Sequence, residues 1–180
     1  MSQDIKEYSI TYAVKDYLLS LNWDVIAYNP PGSQGTFTIP NPSKDGSYRG
    51  QTGSESPDVI AVKKNVVLVV ECKPSFDLDD AQKLKRLADD PKKMEILGIL
   101  IERVCAANDI TLTGELEFIY ALAYQGSPHK EKNLGLIKVE VSDQIDITNL
   151  NAESSYESYF SASLLPASIW TDKILGLFED

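Results

Sequence analysis

The chain has 180 residues, 43% of them hydrophobic, with 17 basic and 27 acidic side chains and a formal net charge of −10. That length and apolar content suit one α/β domain over residues 1–180 with a core of its own, and the absence of any run of about eighteen apolar residues excludes a membrane-spanning helix. Two cysteines (Cys72 and Cys105, both in apolar surroundings) and one histidine (His129, in a polar stretch) exclude a disulfide framework and a Cys/His zinc module, and the polar start Met1-Ser2-Gln3-Asp4 is not a secretory signal, so the expected location is the cytoplasm.

In chain order, residues 3–21 are expected to form an amphipathic helix. Ile10, Val14, Tyr17, Leu18 and Leu21 recur at helical spacing, and Asn22 can end it. Glu7 lies one turn before Ile10 along that stripe, in a first turn where the helix dipole also favours a solvated carboxylate. Trp23-Asp24-Val25-Ile26-Ala27-Tyr28 reads as a strand. Residues 29–56 then form a long connection punctuated by proline and glycine, with room for a small strand at Thr36-Phe37-Thr38-Ile39. A loop of that length in a compact domain usually carries function. Lys44, Tyr48, Arg49 and Gln51 supply cations, a stacking ring and an amide, which are groups that engage phosphates and base edges.

The loop runs into Ser56-Pro57-Asp58 and then two apolar runs, Val59-Ile60-Ala61-Val62 and Val66-Val67-Leu68-Val69-Val70. The polar corner Lys63-Lys64-Asn65 between them reads as a tight hairpin turn, with Asn65 tolerating a left-handed backbone and the lysines in water. Glu71-Cys72-Lys73 follows the second run. Side chains alternate along a strand, so Glu71 and Lys73 share one face and Cys72 takes the other. Folding the hairpin at Lys64 returns Glu71 and Lys73 to the side of Asp58. Two carboxylates make a hard-oxygen site suited to Mg²⁺ or Mn²⁺, and a neighbouring amine can hold a water there. That is equipment for metal-assisted phosphodiester hydrolysis.

After Lys73, Pro74 stops the strand, and Ser75 or Asp77 can cap a helix over residues 77–89 whose inner stripe is Ala81, Leu84 and Ala88. Gln82 lies on this helix, and Lys83, Lys85 and Arg86 read either as a solvated basic face or as phosphate contacts. Pro91 opens a second helix over 92–107, with Met94, Leu97, Ile101, Val104 and Cys105 inward. Strands are expected at 117–124 and 136–141. Residues 143–180 form a C-terminal extension of the same domain, Ser-rich at first and ending in a docking helix from Ile169 to Phe178.

Pro57-Asp58 and Glu71-Cys72-Lys73, on a hairpin with an apolar second strand, resemble the motif of the PD-(D/E)XK nuclease superfamily. The match is tight over residues 57–73 and loose over residues 2–88. The resemblance implies a restriction-endonuclease-like three-layer core, in which helices flank a mixed central sheet of about five strands. It implies a Mg²⁺-dependent endonuclease, with Mn²⁺ able to substitute, that cuts DNA and needs no organic cofactor. Asp58 and Glu71 would ligate the metal together with the backbone carbonyl of Cys72, and Lys73 would orient water or steady negative charge. Glu7 would serve as a further metal ligand or order a water, and Gln82 resembles an accessory helical Gln of some relatives.

A restriction endonuclease acting as a homodimer is the leading expectation. A Holliday-junction resolvase or repair nuclease is the alternative, since a Glu-bearing first helix before Pro-Asp and Glu-x-Lys resembles the archaeal resolvases. A different class also fits: a nucleic-acid-binding or protein-interaction module that keeps the fold without cleavage. Nucleic-acid binders are usually basic, and here residues 1–93 carry 12 basic and 13 acidic side chains whereas residues 94–180 carry 5 and 14. The excess acid therefore lies outside the half with the proposed site, on a surface that faces away from DNA or receives a protein.

Overall fold

The computed structural model describes residues 7–32, 37–42 and 53–125, together with the backbone of two strands at residues 135–141 and 145–146. The fold is α/β. Three helices, α1 (Glu7–Ser20), α2 (Leu78–Ala88) and α3 (Pro91–Ala107), accompany strands β1 (Asp24–Tyr28), β2 (Val59–Lys63), β3 (Val66–Lys73), β4 (Glu117–Gln125), β5 (Gly135–Val141) and β6 (Ile145–Asp146). Lys44, Tyr48, Arg49, Gln51, His129 and the expected helix at 169–178 lie outside the described residues.

The strands run in the order β1-β2-β3-β4-β5-β6 in a mixed sheet. β1, β2 and β3 pair antiparallel, β3-β4 and β4-β5 are parallel, and β5-β6 is antiparallel. A parallel pair needs a crossover, and α2 and α3 supply the one between β3 and β4. Seven of the eight β3 residues are buried, as befits a strand covered on both faces. Ile60, Leu68 and Leu122 of the sheet are buried with Ile10 and Leu18 of α1, Leu84 of α2, and Leu97 and Ile101 of α3.

Local chemistry sets the element ends. α1 stops in a Schellman turn: Asn22 takes φ 58°, its N–H donates to Leu19 O at 3.1 Å, and Trp23 N–H donates to Leu18 O at 3.0 Å. Asp77 caps α2 by accepting from the backbone N–H of Asp79 and Asp80, and Asp90 caps α3 by accepting from Lys92 and Lys93, with Pro91 at its first position. The α2 stripe is Ala81, Leu84 and Leu87 rather than Ala88, which is only partly buried.

The β2-β3 hairpin differs from expectation in its corner. Lys64, not Asn65, takes the left-handed backbone at φ 61°. The Asn65 amide donates to Glu115 O at 3.0 Å and to Glu117 Oε1 at 3.3 Å, which ties the hairpin to the start of β4. Lys63 does not face water either. Its ammonium donates to Leu21 O at 2.9 Å, just past the end of α1, where carbonyls lack helical partners.

Between β1 and β2 the described parts of residues 29–56 form a closed base. Asn29 N–H donates to Asp58 O at 2.8 Å, and Ile39 and Glu55 exchange two backbone hydrogen bonds at 2.7 and 2.9 Å. The Thr38 and Ser56 hydroxyls meet at 2.9 Å. The expected small strand is thus reduced to one bridge, Ile39 with Glu55. Gly53 takes φ 83°, and a Cβ there would run into the Asn41 side chain.

Candidate active site

The hairpin register aligns Val59 with Val70, which sets Asp58 beside Glu71 and Cys72 at the open end of β2 and β3. Asp58 Oδ2 accepts from Cys72 N–H at 2.7 Å, so the carboxylate is locked against the backbone of the next strand. Asn29 holds the same corner from behind. Its buried amide donates to Pro57 O at 2.9 Å and to Phe37 O at 3.1 Å, so with the Asn29 N–H bond to Asp58 O two hydrogen bonds hold the segment that carries Asp58 and a third ties it to Phe37.

Glu71 and Cys72 point to opposite faces of β3. Cys72 is fully buried toward α1, with its thiol beside Thr11. Burial pushes that thiol well up, and the Asp58 charge adds to the effect, so the sulfur is inert. Glu71, only 3% exposed, turns toward α2 and accepts from Lys83 Nζ at 2.7 Å. Lys73, at the end of β3, bridges both helices: its Nζ lies 3.0 Å from Glu7 Oε1 of α1 and 3.5 Å from Asp80 Oδ2 of α2.

The electrostatics follow from burial. Glu71 is pushed up to about 8, chiefly by desolvation, against the pull of the Lys83 ammonium and with a further push from Asp58. Asp58 is also raised by burial, against the Cys72 N–H bond and with the Glu7 charge adding. Burial alone would lower Lys73. The Glu7 hydrogen bond and the charges of Asp80, Glu7 and Asp58 more than reverse this, so Lys73 remains an ammonium. Lys83 behaves alike: burial lowers it, and the Glu71 charge and hydrogen bond raise it further.

Of the residues expected at the site, Asp58, Glu71, Cys72, Lys73 and Glu7 come together. Gln82 is exposed on α2, as are Lys85 and Arg86. Lys83 departs from the reading of that trio as one solvated or phosphate-binding face, because its ammonium reaches back to Glu71. Its place beside Leu84 on the inner stripe, with a stem long enough to reach the sheet, was the available signal. Asp80, Asn29 and a largely buried ion pair between Glu55 and Lys93 also escaped the sequence reading.

Among the described residues no group of three or more His, Cys, Asp and Glu side chains is disposed to hold a metal ion. A cation here would have the Asp58–Glu71 pair for ligands, and one or two carboxylates is what Mg²⁺ usually takes from a protein, the remainder of its shell being water and substrate oxygens. With Glu7 and Asp80 the pair makes four carboxyl groups, set beside two ammonium groups (Lys73 and Lys83). Fully ionised, the cluster would carry two excess negative charges, which a divalent cation would offset along with the desolvation that pushes both buried carboxyls up. No family model, no curated protein and no solved structure matches this chain.

Proposed function

We propose that this cluster is the catalytic centre of a divalent-metal-dependent endonuclease acting on DNA, of the restriction-endonuclease kind, built on a three-layer PD-(D/E)XK core. The observation that carries the reading is the convergence of Asp58, Glu71, Lys73 and Glu7 at one end of the β2-β3 hairpin. Asp58 and Glu71 would hold the cation, with the Cys72 carbonyl as a third donor. When bound, Mg²⁺ or Mn²⁺ supplies Lewis-acid polarisation of a phosphate oxygen and a more acidic water.

The remaining work falls to the chain itself. Lys73 is fully protonated, so it orients the attacking water and steadies the charge that builds on the phosphate, rather than removing a proton. Glu7 and Asp80 aim that ammonium from two helices. In-line attack leaves a 5′-phosphate. Lys44, Tyr48, Arg49 and Gln51 of the loop before Asp58 contact the DNA, and a homodimer brings two such centres to the two strands.

The Glu7–Lys73 contact favours a second reading, a Holliday-junction resolvase or repair nuclease, because the likeness to resolvases lies in a Glu-bearing first helix. One experiment tests both. Plasmid and synthetic four-way junctions are incubated with Mg²⁺ or with chelator, beside Glu71→Ala. Cleavage by the parent protein alone, and only with Mg²⁺, supports a nuclease, and the preferred substrate separates the two kinds. Binding without cleavage leaves a non-catalytic module in its place.

A further inference from the structure

Glu71 is the most enclosed carboxyl of the cluster, and its Oε1 is met by the Lys83 ammonium at 2.7 Å. The two lysines of the pocket differ in how they are held. Lys73 is tied on both sides, to Glu7 and to Asp80, and sits at the end of a sheet strand. Lys83 contacts Glu71 alone among these acids, and its helix neighbours Gln82, Lys85 and Arg86 face solvent. Its side chain is 31% exposed, so its ammonium has a short path to water.

We propose that Lys83 is a built-in competitor of the divalent cation, supplying the countercharge of Glu71 in the cation's place and swinging out to solvent when the cation binds. This rests on the nuclease reading of the pocket. A carboxyl with so little exposure ionises only beside a positive partner, because an isolated buried charge is costly. Nor is it favourable for an ammonium and a divalent cation to crowd the same carboxylate, since their mutual repulsion is strong in a poorly solvated pocket. A flexible lysine on the rim satisfies both conditions, with a stem that packs beside the stripe and a head that can leave. Binding of the cation and retention of the Lys83 contact are therefore linked, and the linkage is reciprocal.

The test uses the full chain and Mn²⁺ alone. Binding is followed by the electron paramagnetic resonance of free Mn²⁺, and the reactivity of individual lysines by acetylation and mass spectrometry. Lys83→Gln is expected to bind Mn²⁺ about tenfold more tightly than the parent protein, and Glu71→Gln to abolish the difference. In the parent protein, Mn²⁺ is expected to raise acetylation of Lys83 several-fold while the exposed Lys92 is unchanged. Equal or weaker Mn²⁺ binding by Lys83→Gln overturns the proposal. So does acetylation of Lys83 that ignores Mn²⁺, a result obtained on the unaltered protein even if the variant fails to fold. A parent protein that takes up no Mn²⁺ at all removes the nuclease reading itself. Uptake with an indifferent Lys83 removes only the competitor.

Discussion

Lys73 and Glu7, 66 positions apart in the chain, are joined by a 3.0 Å hydrogen bond between the last residue of a buried strand and the first turn of α1. The same ammonium approaches Asp80 of α2, so one side chain links two helices that cover opposite faces of β3. Packing does not require this contact, because both partners are about a quarter exposed. Its consequence is directional: the ammonium is aimed along the open end of the hairpin, where Asp58 and Glu71 lie.

Replacing Glu7 tests that aim. Glu7→Gln is expected to lower Mg²⁺-dependent cleavage of supercoiled plasmid about ten- to a hundredfold, the usual cost of losing a residue that orients a catalytic group. Circular dichroism should be unchanged. Cleavage at the parental rate would remove Glu7 from the machinery.

Glu71 should leave a signature in the pH dependence of stability. Its carboxyl sits near 8 in the folded protein, against an ordinary value of 4.5. Between those values the folded state keeps a proton that the unfolded chain releases, so stability falls as pH rises across that window, by up to about 1.4 kcal/mol per pH unit. Glu71→Gln should flatten the slope. Urea titrations in chelator from about pH 5 to about pH 8 check it, and parallel curves for the two proteins would contradict the assignment.

Asn29 is a buried amide with two side-chain hydrogen bonds to carbonyls that flank the site. Asn29→Ala removes both donors and leaves the Pro57 and Phe37 carbonyls short of partners, at an expected cost of about 2–3 kcal/mol in chemical denaturation. Because Pro57 precedes Asp58, Mn²⁺ affinity should fall as well. A loss of stability with unaltered Mn²⁺ binding would mark Asn29 as structural only.

Glu55 and Lys93 pair under nearly full cover, with side-chain exposures of 12% and 14%, and link the base of the long loop to α3. The second Glu55 oxygen, Oε2, is buried without a hydrogen-bond partner among the described residues. Lys93→Met should therefore cost about 3 kcal/mol, because it strands a buried carboxylate. The double variant Glu55→Gln with Lys93→Met should recover much of that loss. A double-mutant cycle with no coupling would show that the pair contributes nothing.

Much of the α/β framework was legible because its signals are local. The β-branched runs on either side of Lys63-Lys64-Asn65 specify a hairpin, Asp77 and Asp90 carry cap chemistry, and Asn22 suits the left-handed end of α1. The nearness of Asp58 to Glu71 was legible too, since it depends only on strand alternation and a two-residue turn. The partners of those acids were not. Whether Lys83 faces solvent or the sheet depends on how α2 rolls against β3, which tertiary packing decides. Asn29 and Glu55 act through backbone carbonyls and a distant lysine, and neither leaves a periodic trace. Even in the hairpin corner, propensity nominated Asn65 for the left-handed position, which Lys64 takes instead.

The closed base of the long connection has an evolutionary corollary. With Asn29 fastened to Asp58, and Ile39 to Glu55, the stretch that departs after Pro42 and returns at Gly53 begins and ends at clamped points. Insertions, deletions and wholesale exchange within it are expected to leave the acidic corner where it is. On the nuclease reading proposed above, selection could rewrite what the molecule grips while its chemistry stayed constant, and a grafted segment with matching ends would be a route to a retargeted version.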